Sequence, residues 1–261
     1  MKEVVILFFG LVRTLDVCFK NLKDKIFYDN TKYKFNFIIN TQTSNNETEL
    51  ECTNKIKKIF ENENLLEIIL YNLPNQKGDQ ILDANYIIMK RLQQSLNLLK
   101  NHNKYDIFIN VRTDISINSN EKIDLDEYIS KDLFTIIPGM VIRECIFHNR
   151  DWDLLWIGSN KSFFIWFYSY IYGVSLVKDY INDNDFKKNN DLNLILNYEL
   201  TEYEKEKIIN KYNLVEEKNN NWWIIRDFER YNNMYHKCIK NLEEHNCSFN
   251  ITNNFFSIIM R

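Results

Sequence analysis

The sequence predicts an α/β protein: a central, mostly parallel sheet flanked by helices, with a helical C-terminal part. Three observations point there. Apolar runs of strand length occur at residues 4–9, 34–40, 65–71 and 105–111. Stretches with helical spacing lie between them, and such alternation is the signature of βα units and a parallel sheet. Several of the runs are continuously apolar rather than alternating, as strands buried on both faces are.

Residues 4–9, Val-Val-Ile-Leu-Phe-Phe, form the first expected strand. Gly10 follows it, then Arg13-Thr14. From about 16 to 28, Val17, Phe19, Leu22 and Ile26 recur at helical spacing. The second strand, 34–40, ends in the polar stretch 41–46, Thr-Gln-Thr-Ser-Asn-Asn, a turn signal. A helix over 52–60 and a third strand over 65–71 follow, then a loop at 74–78, Pro-Asn-Gln-Lys-Gly. Ile87, Ile88, Leu92, Leu96 and Leu99 mark an amphipathic helix over about 82–99, which leads into the fourth strand at 105–111. In the second half, strands are expected over 132–137 and 153–157, and an aromatic helix from about Lys161. Helices are expected over 191–200 and 202–212, with a short strand at 222–225. Residues 248–261 read as a tail. No repeat and no linker rich in Gly, Pro or Ser interrupts the chain, so residues 1–261 are expected to form one domain.

A chain of 261 residues can bury an ample core. Its 45% hydrophobic and 26% charged content is ordinary for a globular protein. A net charge of -3 leaves no basic excess to hold a polyanion, so no nucleic-acid partner is expected. Cys18, Cys52, Cys145, Cys238 and Cys247 are dispersed, with no CxxC pair, and read as reduced thiols of a reducing compartment. The opening run of six apolar residues is too short for a signal segment or a membrane span. The aromatic stretch 163–172 is too short and too rich in Tyr to span, though it could touch a membrane surface. A cytoplasmic protein is expected, with room for peripheral membrane contact. His102, His148, His236 and His245 show no metalloprotease spacing, and no GxSxG, GxGxxG or Walker A pattern occurs.

Residues 104–115, Lys-Tyr-Asp-Ile-Phe-Ile-Asn-Val-Arg-Thr-Asp-Ile, carry the strongest chemical signal. A buried strand ends there in Arg112 and Asp114, and open α/β sheets bind ligands outside the carboxyl ends of their strands. Arg112 can grip phosphate oxygens, and Asp114 can hold a divalent cation. The plainer alternative is a surface ion pair just past a strand. Gly10 and Arg13 offer close backbone approach and a second phosphate grip, or simply a turn glycine beside a surface arginine. Asp153, at the head of Trp152-Asp-Leu-Leu-Trp-Ile-Gly158, could deprotonate an acceptor hydroxyl or line a sugar pocket, or could cap an element end. The aromatic helix and Trp222-Trp223 read as core before carbohydrate platform.

In order and spacing these pieces resemble the small GT-A-type glycosyltransferase-like proteins of bacterial polysaccharide loci and large DNA viruses. Those open with a strand and an "sGq.RT"-like turn, here 10–14, Gly-Leu-Val-Arg-Thr. They continue through a "YDyviR.R.D" segment, here YDIFINVRTDI, and a "D.fa.G" segment, here DWDLLWIG. The likeness covers about residues 3–170, with an echo at 190–195. It implies a Rossmann-like, GT-A-like sheet, a nucleotide-binding half at about 1–118 and an acceptor or sugar half at about 119–261. It implies a nucleotide-sugar donor, a glycan or glycoprotein acceptor, and Mg²⁺ or Mn²⁺. Gly10, Arg13 and Thr14 would border the nucleotide, with Arg112 beside the diphosphate. Asp114 would face the metal, Asp153 the sugar or acceptor, and Asp191 is a weaker match to a late acid. The chain departs from the pattern at Asn110, where a second arginine is common, and in the apolar neighbours of Gly10. Two further readings use the same sheet: a non-catalytic nucleotide- or carbohydrate-binding protein on a decayed transferase fold, and a nucleotidyltransferase releasing pyrophosphate.

Overall fold

The computed structural model describes residues 1–27, 31–43, 47–70, 91–99, 101–118, 122–137, 155–178, 237–251 and 256–259. The first half alternates as its sequence does. Strand β1 is Lys2–Leu11, helix α1 Leu15–Leu22, β2 Tyr33–Gln42, α2 Glu49–Ile59 and β3 Asn64–Leu70. Helix α3 is described over 91–97, and β4 is Ile107–Arg112. Then come β5 (Ile115–Asn118), α4 (Leu125–Ser130), β6 (Leu133–Ile136), β7 (Leu155–Ser159), α5 (Asn160–Lys178), α6 (237–244), β8 (Ser248–Ile251) and β9 (Phe256–Ile259).

Seven strands form one sheet in the order β3-β2-β1-β4-β7-β6-β8. All run parallel except β7, which lies antiparallel to both β4 and β6. Strands β5 and β9 pair separately and antiparallel. The expected mostly parallel α/β sheet is therefore present, with β1 and β4 as direct neighbours.

Alternation along the strands feeds two cores. Val4, Ile6 and Phe8 of β1 pack with Phe37, Ile39, Ile107 and Ile109 against α1 and α2. Val5 and Leu7 turn to the other face with Ile38, Phe108, Phe134 and Trp156, against α3, α5 and α6. Capping helps fix α2: the Thr48 hydroxyl accepts from the Glu51 N–H at 3.2 Å, and the Glu51 carboxylate accepts from the Thr48 N–H at 2.8 Å. The aromatic helix is interior over its first half. Phe163, Trp166 and Tyr170 are fully buried, Trp166 stacked between Phe134 and Phe249. These rings belong to the core, not to a surface platform.

Two expectations need correction. Val17 is exposed; the buried stripe of α1 is Leu15, Cys18, Phe19 and Leu22, continued by Ile26 in a wider turn over Lys23–Phe27. The tail from 248 contains two strands, β8 completing the main sheet beside β6 and β9 pairing with β5. Elements β5, α4 and α6 carry no expectation from sequence. The loop at 74–78, the helices at 191–200 and 202–212 and the strand at 222–225 lie outside the described residues. Among the described residues Cys18, Cys52, Cys238 and Cys247 are free and buried, and Cys145 lies outside them. No described helix is long and apolar enough to cross a membrane.

Candidate functional site

Strand order reverses between β1 and β4. From β1 the chain moves outward to β2 and β3, then returns past β1 to place β4 on its other side. Such a switch point leaves a crevice at the carboxyl ends of the two central strands, because the connections leave in opposite directions. Both motifs singled out from sequence lie there. Phe9 pairs with Arg112, the last ladder pair between β1 and β4. Strand β1 runs two residues further along β2 only, with Gly10 opposite Thr41 and Leu11 opposite Gln42.

The divergence of β1 from β4 is built by Gly10 and two threonines. Gly10 has φ +120, and a Cβ placed on it would lie 2.8 Å from the Thr113 hydroxyl oxygen. Thr113 bridges the gap: its N–H donates to the Phe9 carbonyl at 2.9 Å and its hydroxyl to the Leu11 carbonyl at 2.6 Å. From the other side the Thr41 hydroxyl donates to the Gly10 carbonyl at 2.5 Å. Gly10 thus has a structural task, a positive-φ position near the end of β1 with Thr113 packed against it. Sequence reading passed over Thr41 and Thr113. The available signal was a buried-strand position filled by a hydroxyl residue at each strand end, Asn-Thr on β2 and Arg-Thr-Asp on β4.

Arg112 and Asp114 are held by the same turn and face each other. The Arg112 Nε donates to one carboxylate oxygen at 2.9 Å and its terminal nitrogen to the other at 2.7 Å. The side chains are 29% and 20% exposed. Thr14 and Asp114 share a neighbour in Cys18 of α1. Burial pushes that thiol up to about 11; the Thr14 hydroxyl opposes the shift, while the charges of Asp114 and Asp16 add to it. Arg13 is exposed in the short turn Val12–Thr14 ahead of α1, with no hydrogen bond or ion pair to another described residue. Gly10, Thr14, Arg112 and Asp114 are therefore gathered at one edge. Asp153 and Asp191 lie outside the described residues, though β7 begins at Leu155 opposite Val111, at that same edge of the sheet.

Two features of the sequence reading sit elsewhere or differ in character. Gly158 pairs with Phe108, and a Cβ there would lie 2.8 Å from the Phe134 ring and 3.0 Å from the Ser162 hydroxyl. Its place is close packing of β7 on β6 and α5, away from the Asp114 edge. Asn110 is buried, and its amide nitrogen has no hydrogen-bond partner among the described residues. Toward the same end of the sheet, the Asn40 amide donates to the Arg91 carbonyl at 3.0 Å, and Arg91 donates to the Gln42 side chain at 2.7 Å. A polar layer therefore underlies the end of β2.

Among the described residues no three His, Cys, Asp or Glu side chains gather to hold a metal ion. A divalent cation at Asp114 would have that one carboxylate as its described protein ligand. It fits on the terms usual for Mg²⁺ beside a nucleotide, where phosphates and water complete the shell.

No known family profile matches the sequence, and no curated protein sequence matches it. Solved structures do. The mannosyltransferase Ktr4p from S. cerevisiae is similar over 52% of this chain and 39% of its own, at 12% identity and TM-score 0.31. S. aureus TarS 1-349 is similar over 55% and 37%, at 15% identity and TM-score 0.36. Core-mannan synthase A from Aspergillus fumigatus, in an Mn/GDP form, is similar over 62% and 61%, at 11% identity and TM-score 0.33. In each case the chain covers less than two thirds of the other protein.

Proposed function

We propose that this chain is a glycosyltransferase that moves a sugar from a nucleotide-diphosphate donor to a hydroxyl of a glycan or glycoprotein. The observation that carries the reading is the meeting of a positive-φ glycine near the end of β1 with an arginine–aspartate pair at the switch point of a parallel sheet. Such crevices take nucleotides because backbone and cationic groups converge where no side chain blocks approach. Arg112, joined by Arg13, would hold diphosphate oxygens by charge-assisted hydrogen bonds and stabilise the leaving nucleoside diphosphate. Asp114 would be the carboxylate for Mg²⁺ or Mn²⁺, and that cation, when bound, would neutralise charge on the diphosphate. Thr14 and the Gly10 backbone would border the nucleotide. Asp153 would deprotonate the acceptor in an inverting reaction, and Asp191 would be a further acid on the sugar side.

The test is turnover of a panel of nucleotide sugars with Mn²⁺ or Mg²⁺. Asp114→Asn keeps the shape and removes the charge, and should lower the rate by at least about 10²-fold, the scale of losing one electrostatic stabiliser. Asp153→Asn should cost a similar factor in an inverting enzyme and much less in a retaining one. Full activity in Asp114→Asn would refute the metal role. One observation favours a second reading: each Asp114 oxygen already accepts a hydrogen bond from Arg112, whose positive charge competes with a cation there. A non-catalytic nucleotide- or glycan-binding protein would show donor binding with no turnover under any divalent ion.

A further inference from the structure

The Arg112–Asp114 pair has a property that neither residue has alone. Its guanidinium fork and carboxylate meet through two parallel hydrogen bonds, at 2.9 and 2.7 Å, with both groups largely screened from water. One edge of the fork that would grip a phosphate is therefore held by a carboxylate of the same chain. An anion arriving alone must either displace Asp114 or take the remaining terminal edge of a guanidinium whose charge that carboxylate already offsets, and both oppose binding. A cation and an anion arriving together meet no such cost, since one satisfies Asp114 and the other Arg112. The short link through Thr113 limits how far the two groups can separate. Thr113 is fully buried and tied to the Phe9 and Leu11 carbonyls, so opening must come from side-chain rotation of Arg112 or Asp114.

We propose that Asp114 is a latch on Arg112: it weakens the anion grip until a divalent cation draws it away, so the chain discriminates against metal-free nucleoside diphosphate. This rests on the nucleotide reading given above. Because coupling between two ligands is reciprocal, diphosphate should tighten cation binding by the same factor by which cation tightens diphosphate.

The distinguishing sign appears without metal. Removing a metal ligand ordinarily weakens a nucleotide site; removing a latch strengthens metal-free binding. Isothermal titration with UDP, GDP and inorganic pyrophosphate in chelator should show Asp114→Asn binding at least one of them about tenfold more tightly than the wild type, equivalent to about 1.4 kcal/mol. Added Mn²⁺ should tighten the wild type and leave the variant unchanged. Asp114→Ser, run in parallel, guards against a fold defect specific to one substitution, and Arg112→Gln should lose binding with or without Mn²⁺. Metal-free affinity in both Asp114 variants equal to or below the wild type overturns the latch, while Mn²⁺-dependent nucleotide binding by the wild type would leave the function standing. No binding of any of the three probes by any form overturns both.

Discussion

Gly10→Ala is the sharpest structural test of the edge where β1 and β4 part. Two costs follow from the geometry. A non-glycine residue at φ +120 is strained by about 1–3 kcal/mol. The new methyl would also lie 2.8 Å from the Thr113 hydroxyl, forcing that group off the Leu11 carbonyl and leaving a buried polar group unpaired, at about 1–2 kcal/mol. The sum is about 2–5 kcal/mol, or a fall in melting temperature on the order of 4–20 °C for a domain of this size. Urea unfolding of wild type, Gly10→Ala, Thr113→Ala and the double variant separates the two costs. Thr113→Ala removes the clash, so the double variant should be more stable than the two single losses predict, by about 1 kcal/mol or more. The strain component should remain. Additive losses, or a Gly10→Ala cost under about 0.5 kcal/mol, would refute the account of Gly10 as a conformational and packing requirement.

Gly158→Ala should destabilise by about 1–3 kcal/mol through overpacking against Phe134, Ser162 and Phe163, with no change in nucleotide affinity, since Gly158 lies away from the Asp114 edge. A binding defect at unchanged stability would place that glycine in the site instead. Burial raises Cys18, Cys52 and Cys247 from 9.0 to about 11. Their neutral forms are favoured in the folded state, so the stability they contribute is intact below pH 9 and is lost as pH rises from 9 to 11. Urea midpoints measured across that window should fall, and the Cys18→Ala variant should fall less steeply; a parallel decline in that variant would remove Cys18 from the cause.

The sequence exposed the sheet's parallel half because burial on both faces leaves an unmistakable trace. Residues 4–9 are apolar throughout and become β1, and the run at 105–111 becomes β4 beside it. The strands it concealed are short and lack such a run. Ser-Phe-Asn-Ile of β8 alternates two apolar residues with two polar ones at a sheet edge, and four residues are too few to stand out. Strand β5 follows β4 after two residues, and its partner β9 is remote in the chain, so nothing local announces the pairing. Val17 shows the limit of spacing arguments in one turn of helix. Cys18, a small thiol, takes the buried position that a larger apolar neighbour suggested. At the candidate site, residue type revealed the chemistry of Arg112 and Asp114. Their mutual engagement depends on side-chain conformation, which residue identity at a spacing of two does not set. The demand on Gly10 comes from Thr113, a contact across two strands that no local pattern carries.

The placement of β8 has a consequence for how the chain comes together during synthesis. Leu133 of β6 pairs with Ser248 of β8, and β4, β6 and β7 are all synthesised before that partner. Until it emerges from the ribosome, β6 is an open strand edge of the kind that recruits other chains. The first four parallel strands need nothing beyond residue 112 to pair with one another. The vulnerable interval therefore opens late, and a message truncated ahead of Ser248 should yield a product that collects in inclusion bodies although its β1–β4 platform is complete.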